Sequence, residues 1–292
     1  MDQQINKSAH APEGDPEGSS RWEIGVMVNN LDSDRLRAFH TAAGLGFHYV
    51  HTGALPEAWL TGPERDAYVA SWRASRVVIG TMFIGLDGQN YANRATIAQT
   101  VGLTNPETRE HRCRAALAYI DLALRVGAPS LSAHIGFLPE RRTGPDYGNF
   151  LHAIVAIVDG CTRHGLTFHF ETGQETADEL LEFMSDVNRP GIGVNFDPAN
   201  FILYGTGDPL KALDRLAPWV RGFHCKDGHW PVQPGELGKE VPIGQGKVDF
   251  PALLQRLKAI GYDGPLVIER EGGARAGADI EAARSYVRGL RI

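Results

Sequence analysis

Four segments in the second half of the chain each run to a residue able to bind a divalent metal. They are Leu166-Thr-Phe-His-Phe-Glu171, Ile192-Gly-Val-Asn-Phe-Asp197, Val220-Arg-Gly-Phe-His224 and Pro265-Leu-Val-Ile-Glu269. Each reads as a strand followed by a loop and a helical pattern. Three carboxylates and one imidazole at four consecutive strand ends point to a single divalent-metal site, because a parallel barrel gathers side chains from distant sequence at one mouth.

Side chains alternate along a strand. With Glu171 pointing into the barrel, His169 and Thr167 point inward below it, and Phe168 and Phe170 face outward. Asp197 shares its side with Asn195 and Gly193, and His224 with Gly222 and Lys226. In all three segments the apolar residues fall on one side and the polar or small ones on the other. Glu269 fits less cleanly, sharing its side with Val267 and Glu271. Ionised carboxylates in an interior need a cation or a counter-charge. The alternative, a strand-end residue bonded to loop amides, suffices for any one of the four but poorly for the set.

Bringing the four together requires strands that alternate with helices. Glu23–Val28, Phe47–His51, Arg76–Phe83 and Ser130–Ile135 read as strands one to four, and the ligand segments as five to eight. The helical patterns between them carry end signals. The first is capped by Asp32 or Ser33 and stopped by Gly44 and Gly46. Others span Pro63–Ala74, Pro106–Val126, Asn149–His164, Pro251–Ile260 and Asp279–Gly289. Thr176 with Glu179 forms a capping box, and Asp208-Pro209 opens another helix. Eight such units predict an α/β fold closing into a (β/α)8 TIM barrel. Gly85 to Asn105 and Gly228 to Lys247 read as long loops, the second as a lid over the mouth. Residues 1–21 are polar and rich in Pro, Gly and acid, which predicts a disordered tail, with 22–292 as one barrel domain.

The 292 residues are 42% hydrophobic, enough for a large core, and the net charge of −6 argues against a broad nucleic-acid-binding face. Cys113, Cys161 and Cys225 are odd in number and far apart, as free thiols in a reducing compartment would be. No apolar run approaches the ~18 residues of a membrane span. The expectation is a cytoplasmic protein with a small-molecule partner and neither nucleic acid nor membrane; a homo-oligomer is compatible with the sequence.

Asn195-Phe-Asp-Pro-Ala-Asn200, Phe223-His-Cys-Lys-Asp-Gly228, Ile243-Gly-Gln-Gly-Lys-Val-Asp-Phe250 and Tyr262-Asp-Gly-Pro-Leu-Val-Ile-Glu269 together resemble the motifs of the sugar phosphate isomerase/epimerase superfamily, the xylose isomerase-like barrels. The resemblance extends over about Trp22 to Arg288. It implies Glu171, Asp197, His224 and Glu269 as ligands of one metal. Three oxygens with one nitrogen suit Mn2+ first, with Mg2+, Co2+ and Zn2+ as alternatives. It also implies that Glu171 and Glu269 serve as an acid/base pair on a ketose or related keto-sugar. The metal would act as Lewis acid while one glutamate removes the α-proton and the other returns one to the opposite face.

Around this set, His134, Lys226, Asn200 and Arg270 are candidate substrate-binding residues, and His169 a supporting residue below Glu171. Each also has an ordinary structural reading: His134 satisfied by backbone, Lys226 paired with Asp227 or Glu269, Asn200 capping the turn after strand six, Arg270 paired across the mouth. Three other functions compete. A lyase or dehydratase of a keto-sugar or inosose uses the same enediolate to expel a β-hydroxyl. A nuclease of this superfamily needs further histidines, and Asn200 stands where an Asp-x-x-His pair would place one. A sugar-binding protein needs no chemistry at all.

Overall fold

The computed structural model describes residues 22–140, 144, 146–271 and 276–290. Seven barrel strands come first: β1 (Ile24–Met27), β2 (Tyr49–Gly53), β3 (Val78–Phe83), β4 (Ser130–Ala133), β5 (Thr167–Glu171), β6 (Ile192–Phe196) and β7 (Val220–Cys225). A hairpin, β8 (Asp227–His229) with β9 (Lys239–Val241), precedes the last barrel strand, β10 (Leu266–Ile268). The barrel is closed in the order β1-β10-β7-β6-β5-β4-β3-β2, and every pair is parallel. The expected (β/α)8 barrel is therefore the fold.

Ten α-helices occur among the described residues: α1 (Ala38–Gly44), α2 (Gly62–Ser75), α3 (Arg94–Thr100), α4 (Pro106–Arg125), α5 (Tyr147–Arg163), α6 (Ala177–Val187), α7 (Pro198–Tyr204), α8 (Pro209–Leu216), α9 (Phe250–Ala259) and α10 (Ala276–Gly289). Their apolar stripes meet the outward faces of the strands. In α5, Phe150, Ile154, Ile157, Val158 and Cys161 are buried at helical spacing. The capping box of Thr176 and Glu179 starts α6, and Asn188 ends it with φ 44°. Phe183 of α6 meets Phe170 of β5 edge-on at 6.0 Å and Phe150 of α5 at 5.4 Å. Removing such a ring costs about 3–5 kcal/mol, so β5 is held firmly against two helices.

Four details depart from the expectations. The segment from Gly85 to Asn105 contains α3, capped by Asn93, whose side chain accepts from the Thr96 amide at 2.9 Å. The loop from Gly228 to Lys247 contains most of the β8–β9 hairpin. A short helix, α7, begins immediately after β6, so the turn expected there is helical. Neither Asp32 nor Ser33 caps α1, which starts at Ala38; Asp32 instead accepts from the Arg37 guanidinium, Nη2 to Oδ1, at 2.8 Å. The tail expected over residues 1–21 lies outside the described residues. Among the described residues no helix is long and apolar enough to cross a membrane.

Candidate metal centre

Each of the four predicted ligands reaches the mouth through a feature of its own strand. Glu171 is the last residue of β5. Asn195, inward on β6, donates Nδ2 to Glu171 Oε2 at 2.6 Å. That amide fits because Gly222 faces it from β7, where a Cβ would stand 2.1 Å from Asn195 Oδ1.

Asp197 follows β6 and is the N-cap of α7. Its Oδ1 accepts from the amides of Ala199 at 2.8 Å and Asn200 at 3.2 Å, while Pro198, lacking an N–H, fills the first helical position. Its Oδ2 is buried without a hydrogen-bond partner. On β7, His224 turns Nδ1 to Glu171 Oε1 at 3.2 Å and to Glu269 Oε2 at 3.1 Å. Glu269 stands one residue beyond β10, and its backbone N–H still donates to the Cys225 carbonyl at 3.0 Å.

One donor atom from each of Glu171, Asp197, His224 and Glu269 lies within 4.8 Å of every other. Ligands about 2.0–2.4 Å from a shared cation can be no more than about 4–5 Å apart. The set therefore fits one divalent ion, and the unpartnered Asp197 Oδ2 has the place of a ligand. The protein's own ammonium group also stands among these carboxylates: Lys226 Nζ is 3.3 Å from Glu269 Oε2, 2.7 Å from Glu271 Oε1 and 3.7 Å from Asp197 Oδ2.

The electrostatics follow from burial and these neighbours. Burial pushes the Asp197 carboxyl up to about 8, with Lys226 opposing and Glu269 and Glu171 reinforcing the rise. Burial also opposes ionisation of Glu269, but the charges of Lys226 and His224 outweigh it and hold that carboxyl well below its usual range. For His224 burial favours the neutral ring, yet Glu171 and Glu269 raise it well above its ordinary value. A cation at this point would replace a proton and an ammonium as the partner of three carboxylates.

Above the four ligands opens a cavity of about 510 Å³, of the size small-molecule sites usually have. Glu171 and Glu269 line it, with Phe83, Tyr91, Tyr204 and Glu240 among its walls. Of the other candidates, His134, Lys226 and Asn200 also line it. His134 Nδ1 is buried without a partner. Asn200 lies in the first turn of α7, where its Nδ2 donates to the Thr172 carbonyl at 3.0 Å. Arg270 is placed elsewhere: its guanidinium is held between Glu240 at 2.9 Å and Asp279 at 3.1 Å, off the cavity lining. His169 pairs Nε2 with Thr167 Oγ1 at 3.0 Å, one inward position below Glu171. The pairing of Lys226 with Asp227 does not form, because Asp227 is occupied by backbone. Its Oδ1 accepts from the amides of Gly228 and Val248 at 2.8 and 3.1 Å, and its Oδ2 from those of Gly244 and Gly246, both at 2.9 Å.

His51 went unremarked in the sequence. It ends the Phe47–His51 segment, and its buried Nδ1 stands 3.0 Å from His224 Nε2. The strand alternation that places His224 inward was there to be applied to β2. Tyr91 and Tyr204 had no such signal, since both belong to loop or helix residues beyond the strands.

Over residues 39–290 the chain matches the family described as xylose isomerase-like TIM barrel. It superposes on the solved structure of a xylose isomerase domain protein from Planctomyces limnophilus with a TM-score of 0.84 and 39% identity, covering 92% of this chain and 97% of that one. Among curated proteins, it is 26% identical over 135 residues to an inosose dehydratase of Geobacillus thermodenitrificans, 41% of this chain and 45% of the relative. It is 23% identical over 158 residues to a ketose 3-epimerase of Arthrobacter globiformis, 52% of this chain and 51% of the relative. The chain spans about half the length of the curated relatives it matches. The closed eight-stranded ring and a match reaching from α1 to the end of α10 make this protein a member of the xylose isomerase-like TIM barrel family.

Proposed function

We propose that the protein is a divalent-metal-dependent isomerase or epimerase of a ketose or related keto-sugar, working through an enediolate, with Glu171 and Glu269 as its acid/base pair. The observation that carries this reading is the mutual 4.8 Å approach of four donor atoms beneath a cavity that the two glutamates line. A bound divalent cation, Mn2+ in first place, supplies Lewis-acid polarisation of the substrate carbonyl. Glu171 on β5 and Glu269 beyond β10 flank the strands that carry Asp197 and His224, so they meet a bound sugar from different sides. One takes the α-proton and the other returns a proton to the opposite face, contributing about 10²–10⁴-fold. Asn195 holds Glu171 in place, and Lys226 keeps Glu269 ionised. His134, with an unpartnered ring nitrogen on the wall, is suited to orient a hydroxyl. The free Cys113, Cys161 and Cys225 agree with a reducing compartment.

The dehydratase relative, matched over a share of the chain similar to that of the epimerase, supports a second reading on the same residues: elimination of a β-hydroxyl from a keto-sugar or inosose. Incubation of the Mn2+-loaded protein with keto-sugars and inososes in D2O separates the two. Retained mass plus one deuterium identifies isomerisation or epimerisation, and loss of water identifies elimination. Glu171→Gln and Glu269→Gln should each abolish either reaction. Turnover that survives chelation, or survives both substitutions, would overturn the proposal.

A further inference from the structure

We infer that His51 is a positioning residue for the metal centre, fixing the orientation and the tautomer of the His224 ring; the inference rests on the metal reading above. An imidazole can present a lone pair from only one nitrogen at a time when neutral, and the hydrogen bond made by the other decides which. His224 Nδ1 faces Glu171 Oε1 and Glu269 Oε2 at 3.2 and 3.1 Å, so Nδ1 is the nitrogen directed at the ligand cluster. For Nδ1 to offer its lone pair there, Nε2 must carry the proton. The atom placed to accept that proton's hydrogen bond is His51 Nδ1, 3.0 Å away.

The pair is built into the barrel rather than being a chance approach. His51 and His224 belong to β2 and β7, strands that are not neighbours in the ring, so the contact crosses the lumen. Both residues are fully buried. The His51 ring is packed by Tyr49 at 5.8 Å, Phe83 at 5.6 Å and His224 at 5.2 Å between centroids, and Phe83 also packs His224 at 5.1 Å. Two imidazoles caged by the same phenylalanine have little freedom to rotate. His51 contacts neither a cavity-lining carboxylate by hydrogen bond nor the cavity itself, so its effect on a bound ion passes through His224.

The test uses the full-length protein with Mn2+ alone. His51→Phe keeps a flat ring but removes the acceptor. His51→Asn places an amide oxygen close to where Nδ1 stands and restores it. Mn2+ affinity is read by competition with a chelator, and the melting temperature of the metal-free forms reports on the fold. The expected result is a loss of about 10–100-fold in Mn2+ affinity for His51→Phe, at least tenfold of which His51→Asn recovers where the full loss is large. With Co2+ in the site, the visible absorption band should change in His51→Phe and return toward the unaltered spectrum in His51→Asn. Mn2+ affinity in His51→Phe within twofold of the unaltered protein would overturn the inference alone. So would an Asn variant no better than the Phe variant while both keep their melting temperature. Failure of the unaltered protein to bind any of the four metals would overturn the metal reading and this inference together.

Discussion

Asn195 Nδ2 sits 2.6 Å from Glu171 Oε2, deep in the barrel, so one oxygen of the glutamate is held by β6 while the other faces His224. Asn195→Leu preserves volume and removes the donor. It leaves a buried carboxylate oxygen unsatisfied, at a cost of about 1–3 kcal/mol. Urea denaturation should show that loss, and turnover should fall at least tenfold because Glu171 is no longer fixed. Unchanged stability would show that the hydrogen bond contributes nothing net.

Metal binding should stabilise the fold. An ion that binds only the native state at 100 times its dissociation constant adds about 2.7 kcal/mol. Titration of the chelator-stripped protein with Mn2+ should therefore raise its melting temperature. Asp197→Asn should retain the α7 cap, since its amide oxygen still accepts from Ala199 and Asn200, yet lose most of that metal-induced rise. An undiminished rise in Asp197→Asn would remove Asp197 from the ligand set.

Asp227 should hold the β8–β9 segment to the barrel mouth. Four backbone amides converge on its two oxygens, and Gly246 approaches so closely that a Cβ there would stand 2.0 Å from Asp227 Oδ1. Asp227→Ala frees the amides of Gly244, Gly246 and Val248. A single hydrogen bond to a charged group contributes about 1.5–3 kcal/mol, so the variant should lose at least that much. Hydrogen exchange at these three amides should accelerate, and KM should rise more than kcat falls, since Leu237, Gly238 and Glu240 of this segment line the cavity.

Glu175 is buried with both carboxylate oxygens unpartnered, and burial pushes its carboxyl up to about 8. A carboxyl raised above its unfolded value of about 4 binds a proton more tightly in the native state. Its contribution to stability is complete below that unfolded value and is lost as pH rises through 8. Glu175→Gln abolishes this term. The ratio of variant to unaltered stability should thus climb between pH 6 and pH 9, as measured by denaturant midpoints; a constant ratio would refute it.

Much of this was legible in the sequence because strands announce both their faces. Phe168 and Phe170 alternating with His169 and Glu171 already told which side of β5 is core, and the same reading brought Glu171, Asp197 and His224 to one place. The capping box of Thr176 and Glu179 likewise depends on residues three apart. What stayed hidden depends on distance across the barrel. The contact of His51 with His224 joins residues 173 positions apart and no local pattern encodes it. Arg270 adjoins Glu269 but falls on the opposite side of the alternation, and Glu271, on the same side as Glu269, lines the cavity in its place. The carboxylates of Glu240 and Asp279 hold Arg270 instead. Asp227 looked like a partner for Lys226 for the same reason, adjacency, and the backbone amides of a loop seventeen to twenty-one residues away claimed it instead.

All four candidate ligands come from one continuous arc of the ring, β5, β6, β7 and β10. Among the described residues, the segments that follow β1, β2, β3 and β4 supply wall, including Asn29, Ala54, Gln89 and His134, and none of the four candidate ligands. The candidate ligands thus stand on one half of the circle, while the cavity wall is shared by both. On the proposed function, exchanging a segment after β1, β2, β3 or β4 reshapes part of that wall while leaving every candidate ligand in place, which makes those four segments natural places to alter which substrate is admitted.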